Sequence, residues 1–355
     1  MKVFFYIPTL AAGGAEKQCA MTAAGLKKSY GCDTYVVLDY SDKIKDTNKT
    51  ILDDAGVSVV GLAGGAITKF RKLRKLLAEN KDAVMFSYLT RPNFVGGLAA
   101  LSVGFKNVFT GIRNTVLPPH KFLADMVAAR FFAKGVIYNA HTANESFSRH
   151  WFPKAKGITI SNAITIWNDV PSRNESDILR VVTVGRFVPE KDYVTWCKAI
   201  RKVKESGVEV KATIIGWGME EAGVRELIAD LGLDGDVTIL PGNSDVRKTL
   251  YASNVYLSTS HFEGVSNSIL EAMNAALPVV ATDVGDNRYM LAEGKSGYLV
   301  KIGDVDAIAM RLVELARSPA KRLAFGEMNR DRVKALYSPK RLLASYNDLI
   351  NKIKT

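Results

Sequence analysis

Short apolar runs rich in Val, Ile, Phe and Tyr alternate with longer stretches of helical periodicity along most of the chain. That is the pattern of parallel strands buried on both faces by helices. The first half predicts strands at residues 3–7, 34–38, 57–62, 84–88, 108–112 and 136–138. The segment 157–163 and the polar stretch 167–177 then read as a boundary. The pattern restarts with strands at 179–184, 210–215, 237–240, 255–257, 279–282 and 298–300. A last helix after Pro339, over residues 342–353, has no sheet position left in the second half and is expected to pack back on the first. The expected fold is therefore α/β, with two doubly wound Rossmann-like domains facing a central cleft. Residues 1–163 form the first domain, 164–337 the second, and 338–355 the helix that crosses back. Ligands of such sheets bind outside the carboxyl ends of the strands.

Length agrees with this division, because 355 residues exceed what one hydrophobic core usually organises. The net charge of +12 adds something the pattern does not show. Residues 1–165 hold 22 Lys and Arg against 11 Asp and Glu, and the remainder holds 26 against 25. The excess in the first half predicts an anionic partner: nucleic acid, a phosphorylated small molecule or a membrane surface. Nucleic acid fits poorly, because the one strong basic segment, residues 69–77, contains a single aromatic, Phe70. That segment reads as an amphipathic helix with Phe70, Leu73 and Leu77 on one face and Lys69, Arg71 and Lys72 among the basic residues of the other.

Three widely spaced cysteines with no Cys-x-x-Cys pair, and four histidines without ligand spacing, point to neither a disulfide framework nor a metal site. A reducing cytoplasm is the expected compartment. The apolar start before Gly13-Gly14-Ala15 copies a signal peptide superficially but reads better as a first strand, a glycine turn and a helix from about Glu16. The longest other apolar run, 94–105, is too short to cross a bilayer.

The sharpest chemical signal is His261-Phe-Glu-Gly-Val-Ser-Asn-Ser-Ile-Leu-Glu271. Ser266, Asn267 or Ser268 caps a helix running to Ala276, whose free N–H groups suit phosphate oxygens. Glu263 precedes that helix and Glu271 lies about one turn inside it. Eight residues at helical rise separate the two by roughly 12 Å or less. This is wide for a glycosidase pair, which needs about 5–9 Å. It suits a ligand lying across the helix start with hydroxyls at both ends and phosphate between, as in a nucleotide sugar. Gly185-Arg186 follow a strand, Lys191 starts the next helix, and both cations can neutralise a diphosphate. Gly216-Trp-Gly218 and Pro241-Gly242-Asn243 follow two others and offer main-chain groups to a base. In the first half, Gly13 and Gly14, the set Arg113-Asn114-Thr115, and His141 all follow strands. An ordinary capped helix, surface cations and plain tight turns remain the alternatives to these readings.

Together these residues resemble the retaining glycosyltransferases of GT-B fold, family four, which include bacterial enzymes that build surface polysaccharides, lipopolysaccharide and lipid-linked oligosaccharides. The resemblance rests on Gly13-Gly14-Ala15-Glu16, on Gly185-Arg186 with Lys191, and on Glu263-x7-Glu271 followed by Pro278-Val-Val-Ala-Thr282. It implies catalytic roles for Glu263, Arg186 and Lys191. Arg186 and Lys191 hold the donor diphosphate, Glu271 the ribose and Glu263 the transferred sugar. Gly264, Val265, Ser266, Asn267 and Ser268 contact sugar and phosphate, and Gly185, Gly216, Gly242 and Asn243 line the donor, with Gly13 and Gly14 closing on it. It further implies a UDP-sugar donor, no cofactor and no metal. The acceptor is a glycan or polyprenyl-diphosphate-linked sugar met by Arg113, Asn114, His141, Lys69, Arg71 and Lys72, on a chain that sits peripherally on the inner face of the plasma membrane. There are departures. Many relatives carry a His where this chain has Gly111-Ile-Arg113-Asn114, Ala276 stands where glycine is usual, and Arg288-Tyr289 replaces a common Pro-Glu. A nucleotide-sugar epimerase or phosphorylase on the same fold, and a non-enzymatic polyanion-binding protein, are the competing readings.

Overall fold

The computed structural model describes residues 1–11, 13–113, 117–153, 156–171 and 178–354. The chain divides into two compact units, Met1–Ala163 with Pro339–Thr355, and Ile164–Ser338.

The first unit holds strands β1 (Lys2–Ile7), β2 (Asp33–Leu38), β3 (Ser58–Gly61), β4 (Val84–Tyr88), β5 (Val108–Ile112), β6 (Gly135–Tyr138) and β7 (Gly157–Thr159). They form one parallel sheet in the order β3-β2-β1-β4-β5-β6-β7. The first six follow the apolar runs. β7 corrects the reading of 157–163 as a boundary: Gly157 to Thr159 pair in parallel with β6 at the sheet edge. In β1 only Lys2 is exposed, because helices cover both faces of the central strands. The last helix, Pro339–Lys354, belongs to this unit. It places Tyr346 edge-on against Phe86 at 4.9 Å and within 2.8 Å of the Tyr88 hydroxyl. Its Leu342, Tyr346 and Ile350 are buried at helical spacing in the same core as Phe5 and Phe86.

The second unit holds β8 (Leu179–Val184), β9 (Val210–Gly216), β10 (Val237–Pro241), β11 (Val255–Ser258), β12 (Val279–Thr282) and β13 (Gly297–Val300), all parallel, in the order β10-β9-β8-β11-β12-β13. Helix Tyr193–Glu205 returns from β8 and buries Tyr193, Trp196, Cys197, Ile200 and Val203, one stripe at i, i+3, i+4 spacing. Each such side chain contributes about 1.5–3 kcal/mol by leaving water. Both sheets reverse their winding once, between β1 and β4 and between β8 and β11, and these are the switch points at which doubly wound sheets take ligands. Among the described residues no helix is long and apolar enough to cross a membrane.

One electrostatic brace in the second unit makes a testable contribution to stability. The Glu314 carboxylate accepts from Lys321 Nζ (2.5 Å), Tyr298 OH (2.7 Å) and Arg311 Nη1 (2.9 Å). These donors, Lys321 foremost, hold its pKa down at about 2 against an ordinary 4.5. A carboxyl whose pKa is lowered by folding stabilises the fold above its unfolded pKa, and that contribution drains away as pH falls from about 4.5 toward 2. The melting-temperature gap between the native chain and Glu314→Gln is therefore expected to be modest at pH 7, since the group is partly solvated, and to shrink through pH 4. A gap independent of pH removes the charge from the explanation.

Candidate functional site

The switch point of the second unit brings together the two segments singled out most sharply in the sequence, 185–191 and 263–271. After β8 the chain passes through Gly185 and Arg186 into a 3-10 turn, Pro189–Lys191, and helix Tyr193–Glu205 begins only after Asp192. Lys191 thus does not start the helix as expected. Asp192, held at φ 48°, caps it by accepting from Thr195 N at 3.1 Å. Pro189 is a good first residue for a helix, but the left-handed Asp192 breaks the chain direction after one short turn.

The loop after β11 is sewn to the loop after β8. Thr259 Oγ1 donates to the Lys191 and Asp192 carbonyls, both at 2.9 Å, and His261 N donates to the Glu190 carbonyl at 2.7 Å. His261 Nε2 lies 3.0 Å from Asp192 Oδ2. This stitching sets Lys191 Nζ 2.6 Å from Glu263 Oε1, which also accepts from Ser260 Oγ at 2.8 Å. The pair is mostly enclosed, with side-chain exposures of 23% for Lys191 and 12% for Glu263, so solvent screens it little. Ser260 is itself fixed, since Thr282 Oγ1 donates to its carbonyl at 2.6 Å. Arg186 is exposed, and its guanidinium makes no hydrogen bond or ion pair among the described residues. One cation is therefore matched and one is available for a ligand.

Helix Asn267–Asn274 follows directly. Ser266 occupies the cap position but its side chain makes no capping bond; instead its hydroxyl lies 3.2 Å from that of Ser268. The expected side-chain cap is thus not formed, and the first-turn N–H groups keep their hydrogen-bonding capacity. The helix ends at Asn274 rather than at Ala276, which adopts the left-handed φ of 55° usual for the residue after a helix end. Glu271 lies just over one turn in and is half-buried. Beneath the site, burial pushes the Tyr256 phenol up to about 12. It stays neutral and donates to the Val184 carbonyl at 3.3 Å.

At the ends of β9 and β10 the glycines serve close packing. Phe187 N donates to the Trp217 carbonyl at 2.8 Å, and Gly218, at φ 149°, has room for no Cβ because one would meet Phe187 O at 2.5 Å. The Trp217 ring packs on Gly242 and is 54% exposed, beside exposed Asn243. Gly216 and Gly242 therefore act through what they let approach. The aromatic face of Trp217 is a feature that sequence reasoning missed, because the flanking glycines drew attention to main-chain groups instead.

In the first unit, Gly13 and exposed Gly14 open helix Gly14–Tyr30, with the Glu16 carboxylate folded back against Gly13. Arg113 follows β5, with its guanidinium 4.3 Å over the Tyr88 ring and Nη2 donating to Tyr346 OH at 3.1 Å. Asn114 lies outside the described residues. His141 is the exposed first residue of helix His141–Ser148. On helix Ala66–Ala78, Arg71 and Lys72 are exposed but Lys69 is not. Its ammonium sits 3.8 Å over the Tyr40 ring with the residue 9% exposed. That corrects the outward basic face expected from periodicity, because a lysine stem can be buried while its head finds an aromatic face. Among the described residues, no three His, Cys, Asp or Glu side chains are gathered to hold a metal ion.

Comparison with known proteins bears on this geometry. Residues 167–332 match the family described as glycosyl transferases group 1. A lipopolysaccharide core biosynthesis glycosyltransferase of Rhizobium meliloti is 26% identical over 170 residues, 48% of this chain and 49% of that protein. The Escherichia coli UDP-Gal:alpha-D-GlcNAc-diphosphoundecaprenol alpha-1,3-galactosyltransferase is 21% identical over 266 residues, 68% of each. Among solved structures, Anabaena HepE in complex with UDP superposes with a TM-score of 0.85 at 18% identity, over 99% of this chain and 100% of the other. The chain matches only about half of the Rhizobium relative's length. The structural likeness establishes the two-domain GT-B fold.

Proposed function

We propose, on the match of residues 167–332 to the glycosyl transferases group 1, that the chain transfers a sugar from a nucleotide diphosphate donor to a glycan or lipid-linked acceptor in bacterial surface polysaccharide synthesis. The observation that carries this reading is the stitched pair of loops at the β8/β11 switch point. It presents a free Arg186, the Lys191–Glu263 pair and an uncapped helix start on one side of one sheet. A diphosphate has two anionic groups to satisfy there, and Arg186, Lys191 and the first-turn N–H groups of helix Asn267–Asn274 supply them. Glu263 and Glu271 then receive hydroxyls of the transferred sugar and of the ribose. Trp217 offers a face to the base. UDP is the favoured nucleotide, because the similar Anabaena structure was solved with UDP and the Escherichia coli relative is named for UDP-Gal. That relative's name also includes a diphosphoundecaprenol-linked sugar, which supports an acceptor of that class and a peripheral place at the inner membrane face.

Transfer proceeds with retention. The bond from the anomeric carbon to the diphosphate breaks, the acceptor oxygen bonds to the same face, and a diphosphate oxygen takes the acceptor's proton. Charge that builds on the leaving diphosphate is met by Arg186 and Lys191, which lowers the barrier because the interaction strengthens in the transition state. No metal is required for that charge.

The reading is tested by a thermal-shift and hydrolysis screen against UDP-, GDP- and ADP-sugars with EDTA present. One donor is expected to stabilise the chain and release its sugar slowly. Arg186→Ala should weaken that donor by about 10–100-fold, the worth of a charge-assisted hydrogen bond to phosphate. Conversion of the donor to another sugar nucleotide without acceptor would mean an epimerase, and no binding by any donor would return the chain to the polyanion-binding class.

A further inference from the structure

The first unit holds a cavity of its own. It lies at the carboxyl ends of β4 and β5, has a volume of about 210 Å³, and is lined by Leu89, Thr90, Arg91, Arg113, Lys121 and Asp125 among others. Its charges do not balance. Arg91 is met by the buried Asp39, 3.6 Å from its Nε, and by the Tyr40 hydroxyl at 3.0 Å. Asp125 is taken up by Thr90 Oγ1 at 2.7 Å and Asn93 Nδ2 at 2.8 Å. Among the described residues Arg113 has only neutral partners: the Tyr346 hydroxyl, Asn162 Oδ1 at 3.3 Å, and the face of Tyr88. Its Nε is buried and has no hydrogen-bond partner among the described residues. Lys121 lies exposed on helix Pro119–Val127 and forms no close ion pair among those residues, its charge being felt by Asp125 one turn along the same helix. An enclosed guanidinium without a counter-charge is costly unless something anionic completes it.

A second observation marks the same place. Leu89 adopts φ 75° and ψ 159°, a region that is nearly reserved for glycine. Such strain persists where a ligand site fixes the backbone. Leu89 joins β4 to helix Thr90–Ser102, and that conformation turns Thr90 and Arg91 to the cavity wall.

Resting on the glycosyltransferase reading above, we propose that this cavity binds a phosphate-class oxyanion carried by the acceptor, with Arg113 as its buried partner and Lys121 at its rim. A tetrahedral phosphate can take donors from the several directions in which Arg113 and Lys121 approach, and its negative charge supplies what the cavity lacks. Asp125, whose carboxyl is pushed up by burial, stands beside it to receive a sugar hydroxyl.

The test titrates the intact chain, saturated with UDP, with inorganic pyrophosphate in a calorimeter. UDP fills the second unit, so pyrophosphate reports on the first alone. Pyrophosphate should bind, about 10–100-fold more weakly to Arg113→Gln and several-fold more weakly to Lys121→Gln, while UDP affinity holds in both. Should Arg113→Gln not fold, the exposed Lys121→Gln carries the comparison. The idea is overturned if the UDP-saturated native chain ignores pyrophosphate, or if both variants bind it as the native chain does. Failure of UDP itself to bind strikes the reading of the second unit instead. Transfer assays with a soluble sugar 1-phosphate and with a diphosphate-linked lipid sugar then identify the source: Lys121→Gln should raise KM for the one that is used, and an unchanged KM for both counts against the cavity.

Discussion

Glu263→Ala should lower kcat by at least about 100-fold while leaving the fold intact and UDP affinity unchanged or slightly improved. Glu263 accepts from Lys191 and Ser260 through the same oxygen, Oε1, so its second oxygen remains available to a sugar hydroxyl. In the proposed complex the carboxylate orients the sugar and holds the lysine at once. Its removal frees the sugar to rotate away from the line of attack, and misplacement by about 1 Å is enough to cost two orders of magnitude. It also releases Lys191 from its counter-charge, so the ammonium meets a nucleotide diphosphate with less competition. That predicts a split: the intact donor binds less well, and free UDP binds as well or better. Glu263→Gln retains an acceptor for Ser260 but loses the charge, and should fall between the two. Donor hydrolysis, acceptor transfer and UDP calorimetry on the three proteins decide the matter, and near-native turnover in Glu263→Ala would remove the carboxylate from the reaction.

The pairing that makes Glu263 useful is only half visible in the sequence. The strands are readable because a parallel sheet covered on both sides leaves continuous apolar runs, and β8 and β11 bear them plainly. The course of the chain beyond each strand is set by contacts between loops distant in sequence. Thr259 reaching the Lys191 carbonyl joins residues 68 apart, and nothing in the local spelling announces it. Local signals put Lys191 at a helix start, since Pro189 favours one there, whereas Asp192 at φ 48° delays that start. Periodicity points Lys69 outward, yet the ring that receives it, Tyr40, follows a different strand. Edge strand β7 is only three residues long, too short for alternation to register. Candidate side chains recognisable by type and spacing are legible; those defined by a tertiary partner, such as Ser260 and Asp192, are not.

A residue with no side chain is the second most consequential position, because it fixes where Glu263 sits. Gly285 lies in the loop after β12 at φ 52°, and a Cβ there would fall on the Glu263 carbonyl oxygen and lie 3.0 Å from that of Gly264. Asp286 N donates to the Gly264 carbonyl at 3.1 Å, so the two loops are already drawn together by hydrogen bonding. Gly285→Ala therefore carries two costs. The left-handed backbone costs an L-residue about 1–2 kcal/mol, or roughly 2–8 °C of melting temperature in a domain of this size. The steric cost falls on backbone atoms that can yield only by moving. The loop after β12 is the less able to move, because Asn287 is fully buried and its Nδ2 donates to the Thr282 carbonyl at 2.9 Å. The Glu263 segment must shift instead, taking with it the approach to helix Asn267–Asn274. Gly285→Ala is thus expected to lower kcat by an amount comparable to Glu263→Ala and, unlike it, to weaken UDP, because the helix start proposed to meet phosphate moves as well. Gly235 supplies the control, since a Cβ added there would meet no atom within 4 Å and its φ is not left-handed. Calorimetric melting and UDP titration of the two alanine variants separate the outcomes. Equal stability and equal UDP affinity in Gly285→Ala and Gly235→Ala would mean that the loops are not held as this packing requires, and that Glu263 does not owe its position to Gly285.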